Sequence, residues 1–391
     1  MTGELTAKPT FLSSVIGTIV SRRFAANYFS TLAFIGLSYW IVTFASEFHR
    51  GILQGQLQLG MIGIDFGLQV RELFVALIVL YVIVLVPFYA RYPWLRSKAS
   101  IFLQGLWFSL LRMLRPESRA RMAVRARRPM ALPFRAALSP AARQAALALL
   151  LKFFFAPLMI NWCLGHIGDM TNSVVNVWNS IQDGASGRVL FDSALFWACF
   201  QLILFVDTLL FTLGYILETP ALRNRILSVD PTFFGWFVCL ACYPPFNGFT
   251  GQLFPWQSSD FPSFGNDVAH FTANICILVA MAIFSWASIS LGFKASNLTN
   301  RGIVTHGPYA YVRHPAYAAK NLAWWIGAIP GLMAVFTVDG FPVAPFFIGL
   351  FGWTAIYVLR ALTEERHLLM LDNGYAQYMR TVKWRFLPGV F

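Results

Sequence analysis

Between Glu72 and Arg91 the chain passes through eighteen residues without a charge, and most of them are Leu, Val, Ile or Phe. At 1.5 Å per residue, such a run is helical and long enough for a hydrocarbon core of about 30 Å. In that core every backbone N–H and C=O must be satisfied within the segment or a closed sheet. The run recurs. Hydropathy predicts spans at 28–46, 72–90, 144–164, 193–217, 232–250, 269–292, 317–338 and 342–360. Charged residues make up 12% of the 391 residues, against about 25% in soluble domains. The expected fold is an all-α integral membrane protein of about eight transmembrane helices, ending in a helical hairpin and a cytoplasmic amphipathic tail.

Charge gives the orientation. All but five of the 30 Lys and Arg residues fall in the N-terminus, the loops 91–143, 218–231 and 293–316, or the C-terminal tail. Arg50, Arg71 and Arg188 fall on the other side, and Lys152 and Lys320 lie within spans. This asymmetry predicts both termini in the cytoplasm, as in a multi-pass protein of a bacterial inner membrane. The basic loop 91–143 contains an apolar segment, Ile101 to Met113, too short to span upright and expected in the interface. Arg112, Arg115, Arg119, Arg121, Arg125, Arg127, Arg128 and Arg135 follow, a cluster suited to anionic lipid headgroups or to the recruitment of an anionic lipid substrate.

The net charge of +13 has no nucleic-acid pattern behind it, so no nucleic-acid partner is expected. Cys239 and Cys242 have CxxC spacing inside an apolar run, with no partner pair, and read as small buried hydrophobes. No cleavable signal peptide is expected. Pro231 suits the start of a helix, and Pro244-Pro245 must end or break it. Segments 165–192 and 251–268 read as short outer loops or interfacial helices. Asp207, in mid-span, is either a polar clamp with Lys152, Lys320 or an Asn, or a substrate contact. Lys152 can snorkel, and Glu218 with Arg223 and Arg225 lies at the cytoplasmic boundary.

Between two apolar runs lies Arg301-Gly-Ile-Val-Thr-His-Gly-Pro-Tyr-Ala-Tyr-Val-Arg-His-Pro-Ala-Tyr317, which holds two of the six histidines. Pro315 is placed to begin the seventh span with His314 as its cap, and Gly307-Pro308 turns the chain just before it. Arg313, His314 and His306 then gather at the positive end of a helix, a setting for a carboxylate or phosphate. The eighth span returns to the same face carrying Glu364 and Glu365 at its negative end. Acids there cost about 0.3–1 kcal/mol each, which makes sense where a cation is held. An anion socket beside a cation socket suits S-adenosylmethionine, with its carboxylate, ammonium and sulfonium. The spacing equally allows ordinary capping by His-Pro and surface pairing of the acids with Arg360 and Arg366.

The ordered set Val304–Tyr317, Glu364-Glu365, Gly374-Tyr-Ala-Gln-Tyr378 and Phe386-Leu-Pro-Gly389 resembles the isoprenylcysteine carboxyl methyltransferase family, with a related pattern in phospholipid N-methyltransferases. The resemblance covers about 270–391. It implies a cofactor pocket for S-adenosylmethionine made by the last helices, in which His306, Gly307, Tyr309, Arg313, His314, Tyr317, Glu364 and Glu365 contribute and Tyr378 closes the site. It does not reach the first 230 residues, which divides the chain into 1–230 and a methyltransferase-like core, 231–391. His306 stands where relatives often have a small residue, and the acceptor site does not carry over.

The expected reaction is methyl transfer to a lipid or lipid-linked carboxylate, thiolate or amine. A carboxylate needs alignment and desolvation, for which Arg313, or the region of Arg360 and Arg366, is placed. An amine needs a base, for which Glu364, Glu365 or His306 is available. The competing reading is an NADPH-dependent lipid or sterol-type reductase, which shares an Arg-His segment and a Leu-Pro-Gly end but has no use for the adjacent acids. A transporter would call for repeats or polar lines across several spans, which the sequence does not display.

Overall fold

The computed structural model describes residues 21–54, 56–61, 64–114 and 138–390. The chain forms two compact units, Met1–Gly55 with Gln69–Phe154, and Gln56–Leu68 with Phe155–Phe391. The boundary at 154 falls inside a helix.

The first unit contains α1 (Arg22–Trp40), α2 (Val70–Arg91) and α3 (Lys98–Leu114). Ser21 caps α1 by accepting from Phe24 N–H. Phe24, Leu85 and Tyr89 form the apolar contact of α1 with α2. Buried Asn27 ties α1 to the segment before α3: its amide donates to Leu95 O at 2.7 Å and its carbonyl accepts from Ser97 N–H at 2.9 Å. The segment expected at the interface is α3. Leu103, Trp107, Phe108 and Leu111 are exposed along it. The arginines from Arg115 to Arg135 lie outside the described residues.

The helix α4 (Pro140–Gln182) runs on for 43 residues. The predicted outer loop 165–192 is thus helical for most of its length. Polarity allowed either a loop or an interfacial helix; Val174, Trp178 and Ile181 keep the three-to-four-residue spacing of a helix, and no proline follows Pro157 within it to stop it.

The second unit holds the remainder of α4, then α5 (Phe196–Ile216), α6 (Phe233–Leu240), α7 (Phe246–Leu253), α8 (Asp267–Leu291), α9 (Pro315–Gly327), α10 (Ile329–Thr337), α11 (Val343–Leu368) and α12 (Tyr375–Thr381). Six described helices are long and apolar enough to cross a membrane. The other two predicted spans are each a pair of shorter helices. Segment 232–250 breaks between α6 and α7 at Pro244-Pro245, as the prolines require, and α6 starts on Thr232, whose hydroxyl accepts from Gly235 N–H. Segment 317–338 is interrupted at Ala328, between α9 and α10.

α8 packs against both α5 and α9. Phe196, Phe200, Ile277 and Met281 fill the space between α5 and α8. Val238, Trp324, Phe346, Leu350 and Trp353 join α6, α9 and α11. At the C-terminal end of α5, Gly214 lies against the carbonyl of Ala295, which a Cβ would meet at 2.0 Å. That close approach seats the segment after α8 beneath α5. Its strand β2 (Thr299–Asn300) pairs antiparallel with β1 (Ser228–Val229).

Candidate functional site

After β2, a short 3-10 turn at Gly307–Ala310 leads into α9, and Pro315 begins that helix with His314 in the cap position, as the sequence predicts. Gly307 has φ +63°, and a Cβ there would meet Ser290 Oγ at 2.2 Å. Glycine is required on both counts.

Arg313 and His314 do not form an open anion socket. The C-terminal segment folds back on them: Arg313 N–H donates to Trp384 O and His314 N–H to Arg385 O, each at 2.9 Å. The Arg313 guanidinium donates from Nη1 to Val382 O and Lys383 O at 2.9 and 2.7 Å, and from Nε to Glu365 Oε1 at 2.8 Å. Arg385 reaches the same carboxylate at 2.9 Å, and His314 Nε2 lies 3.2 Å from it. Glu365 is therefore a buried anion surrounded by three basic side chains.

Glu364 is placed differently. Its carboxylate accepts from Tyr317 Oη at 3.0 Å, and its side chain is 42% exposed. The His314 and Tyr317 rings stack at 5.5 Å, so the two acids are linked through neighbouring aromatic groups.

These residues border a cavity of about 240 Å³. Tyr309, Arg313, His314 and Tyr317 line it from the polar stretch, and Arg360, Glu364 and Tyr378 line it from the last helices. Glu365, His306 and Gly307 do not line it. His306 is exposed, Gly307 serves the turn, and Glu365 points into the tail contacts. Tyr378 closes against the turn by donating to Tyr309 O at 2.7 Å. Burial pushes the Tyr309 and Tyr378 phenols above their ordinary pKa, so both remain neutral donors.

Arg360 lies one helical turn from Glu364 but is not its surface partner. Its Nη2 donates to Asn297 Oδ1 at 2.8 Å, and its guanidinium carbon lies 5.1 Å from the Tyr317 ring centroid and 5.7 Å from those of Tyr243 and Tyr357. Asn297 in turn donates to the hydroxyls of Tyr215 and Tyr243 at 3.0 Å. This aromatic cage holds a buried cation by ring faces rather than by a carboxylate.

Sequence reading did not single out Asn297, Tyr243 or Tyr357 for this role. They lie far apart along the chain, and the available signal was weak: polar groups near the ends of apolar runs that converge. Asp207 takes Ser288 as its hydrogen-bond donor, and both line the cavity, as does Lys320. Cys239 and Cys242 are on the wall too, Cys239 buried as expected. Glu218 accepts from Ile226 N–H at 3.1 Å and does not line the cavity. Arg301 is buried on the wall and donates to Asn224 O at 2.5 Å; burial pulls its pKa below the ordinary value, opposed by the charge of Glu218. No group of His, Cys, Asp and Glu among the described residues is arranged to hold a metal ion.

Comparison of the chain with protein-family models, with curated proteins and with solved structures gives no match.

Proposed function

We propose that this chain is an S-adenosylmethionine-dependent membrane methyltransferase acting on a lipid or lipid-linked acceptor at the cytoplasmic face. One observation carries the reading. Tyr309 and Tyr317 of the polar stretch share a single cavity with Glu364 and Arg360 of the last long helix, and the C-terminal segment closes beside it. A partly exposed carboxylate on the wall of a cavity suits a sulfonium or ammonium. The polar group suited to the carboxylate end is the Tyr309 hydroxyl on the cavity wall, because Arg313 is held by Glu365 and the tail and the Tyr378 hydroxyl donates to Tyr309 O.

In this reading Glu364, oriented by the Tyr317 hydroxyl, holds the cationic portion of the cofactor, while Arg360, fixed by Asn297 and its three tyrosines, shapes the wall beside it. Bound S-adenosylmethionine supplies an electrophilic methyl group. The protein's part is alignment and exclusion of water, to which the buried tyrosines contribute. An acceptor amine would give its proton to Glu364, a carboxylate on the cavity wall. The same carboxylate speaks against an NADPH-dependent reductase, whose phosphates would meet it unfavourably.

The proposal includes eight crossings: the six long helices together with the pairs α6–α7 and α9–α10. It places both termini in the cytoplasm of a bacterial inner membrane, with the basic loop on anionic headgroups. The test is calorimetric titration of the purified full-length protein with S-adenosylmethionine, coupled to transfer of labelled methyl groups into a total lipid extract. Micromolar to millimolar binding with label in the lipid phase is expected. Absence of both would end the methyltransferase reading.

A further inference from the structure

Three helices meet at one wall of the cavity. Asp207 of α5 accepts a hydrogen bond from Ser288 Oγ of α8. One turn earlier on α8, Phe284 presents its ring to the Lys320 ammonium of α9, which lies 5.3 Å from the ring centroid. Residues four apart on a helix have Cβ atoms about 5–6 Å apart on one face. Asp207 and Lys320 therefore stand side by side on the same wall, each attached to a neighbouring position of α8.

They do not close on each other. Among the described residues, neither belongs to an ion pair within 4.0 Å. Lys320 is exposed on this wall. An acid and a base inside membrane spans are expensive, and a pair kept only as a structural clamp gains its stability from close contact. Of the other cations on the wall, Arg360 is engaged by Asn297 and three aromatic rings, and Arg313 by Glu365 and the tail. Lys320 is the one that stands beside Asp207, where an anion with a neighbouring donor group would meet both.

We propose that the Asp207–Lys320 wall is the headgroup subsite for the methyl acceptor. It takes a lipid whose headgroup combines an oxyanion, carboxylate or phosphate, with an N–H or O–H donor. Lys320 pairs with the oxyanion, and Asp207 accepts from the donor. The resemblance to methyltransferases does not extend to Asp207. Only the word acceptor rests on the methyltransferase reading; binding of the headgroup rests on the two side chains.

The experiment compares wild-type protein with Lys320→Met, Lys320→Arg and Asp207→Asn, all full length and purified in detergent from one host. Co-purifying lipids are quantified by mass spectrometry, and S-adenosylmethionine affinity is measured on the same samples. In wild type and Lys320→Arg, one oxyanion-bearing lipid class is expected at least ten-fold above its share of the host membrane. The enrichment falls to background in Lys320→Met and at least three-fold in Asp207→Asn, with cofactor affinity unchanged. The mass of the retained lipid distinguishes a carboxylate from a phosphate headgroup. Asp207→Asn is close to isosteric and can keep the Ser288 contact, so it tests the subsite even if Lys320→Met does not fold. The same lipid profile in every variant, or a loss of cofactor affinity in Lys320→Met as large as the loss of lipid, overturns the proposal. Lipid retention that depends on Lys320 in a protein that binds no S-adenosylmethionine would remove the methyltransferase reading and leave the subsite standing.

Discussion

Glu364 and Glu365 are chemically identical neighbours, and replacing each with Gln separates their roles. Glu365 is 6% exposed at its side chain and receives Arg313 at 2.8 Å, Arg385 at 2.9 Å and His314 at 3.2 Å. The amide removes the charge and turns donors toward donors, leaving the buried Arg313 uncompensated. Losing one partner of a buried ion pair costs about 3–5 kcal/mol. At the low end of the roughly 2–4 °C per kcal/mol found for domains of 150–250 residues, the melting temperature should fall by about 6–10 °C. Glu364 has one hydrogen bond, from Tyr317, and a side chain 42% exposed; its amide keeps an acceptor and should cost no more than about 1 kcal/mol. Cofactor affinity should show the converse order, with at least a ten-fold loss in Glu364→Gln at nearly unchanged stability. Tryptophan fluorescence on heating in detergent and calorimetric titration give the two readouts. A Glu365→Gln protein melting within 2 °C of wild type (about the shift expected for 1 kcal/mol) would refute the assignment of Glu365 as the buried anchor of the C-terminal segment.

Gly307→Ala should sharply lower the yield of monodisperse protein, because the new Cβ meets Ser290 Oγ at 2.2 Å and the backbone stays at φ +63°; adding Ser290→Ala should recover only part. Tyr378→Phe loses the bond to Tyr309 O and should cost about 0.5–1.5 kcal/mol. Its observable is faster proteolysis at Arg380 and Lys383, where release of α12 exposes the chain. Arg360→Met keeps much of the side-chain bulk but abandons Asn297 and the tyrosine cage, and methyl transfer should fall about 100-fold, the scale expected from misplacement near the reacting groups.

Uncharged runs bounded by arginines made the long helices legible, because the membrane leaves the backbone few alternatives. The start of α9 was legible too, since Pro315 permits a first turn and disfavours helix before it. The length of α4 was not: Asn, Ser and Asp after residue 165 resemble a loop by composition, and only their helical spacing with Val174, Trp178 and Ile181 says otherwise. Nor were the partners of Arg360. Sequence offers Glu364 at four residues, while the side chain turns to Asn297 and to rings brought from other helices. Local spacing lists possible neighbours, and tertiary packing chooses among them.

At 3.6 residues per turn, adjacent helical positions diverge by about 100°. Glu364 and Glu365 therefore had to face different surroundings once α11 continued to Leu368. One sits on the cavity wall beside Tyr317; the other meets Arg313 and Arg385 as the chain returns at Val382–Arg385. The return is itself backbone-directed, with Arg313 and His314 N–H groups paired to Trp384 and Arg385 carbonyls. Arg313-His314 thus fastens the C-terminal segment and, through Glu365, fixes the helix face on which Glu364 stands. Its contribution to the candidate site is chiefly positional, and Tyr309, Tyr317, Arg360 and Glu364 supply the surfaces that a ligand would touch.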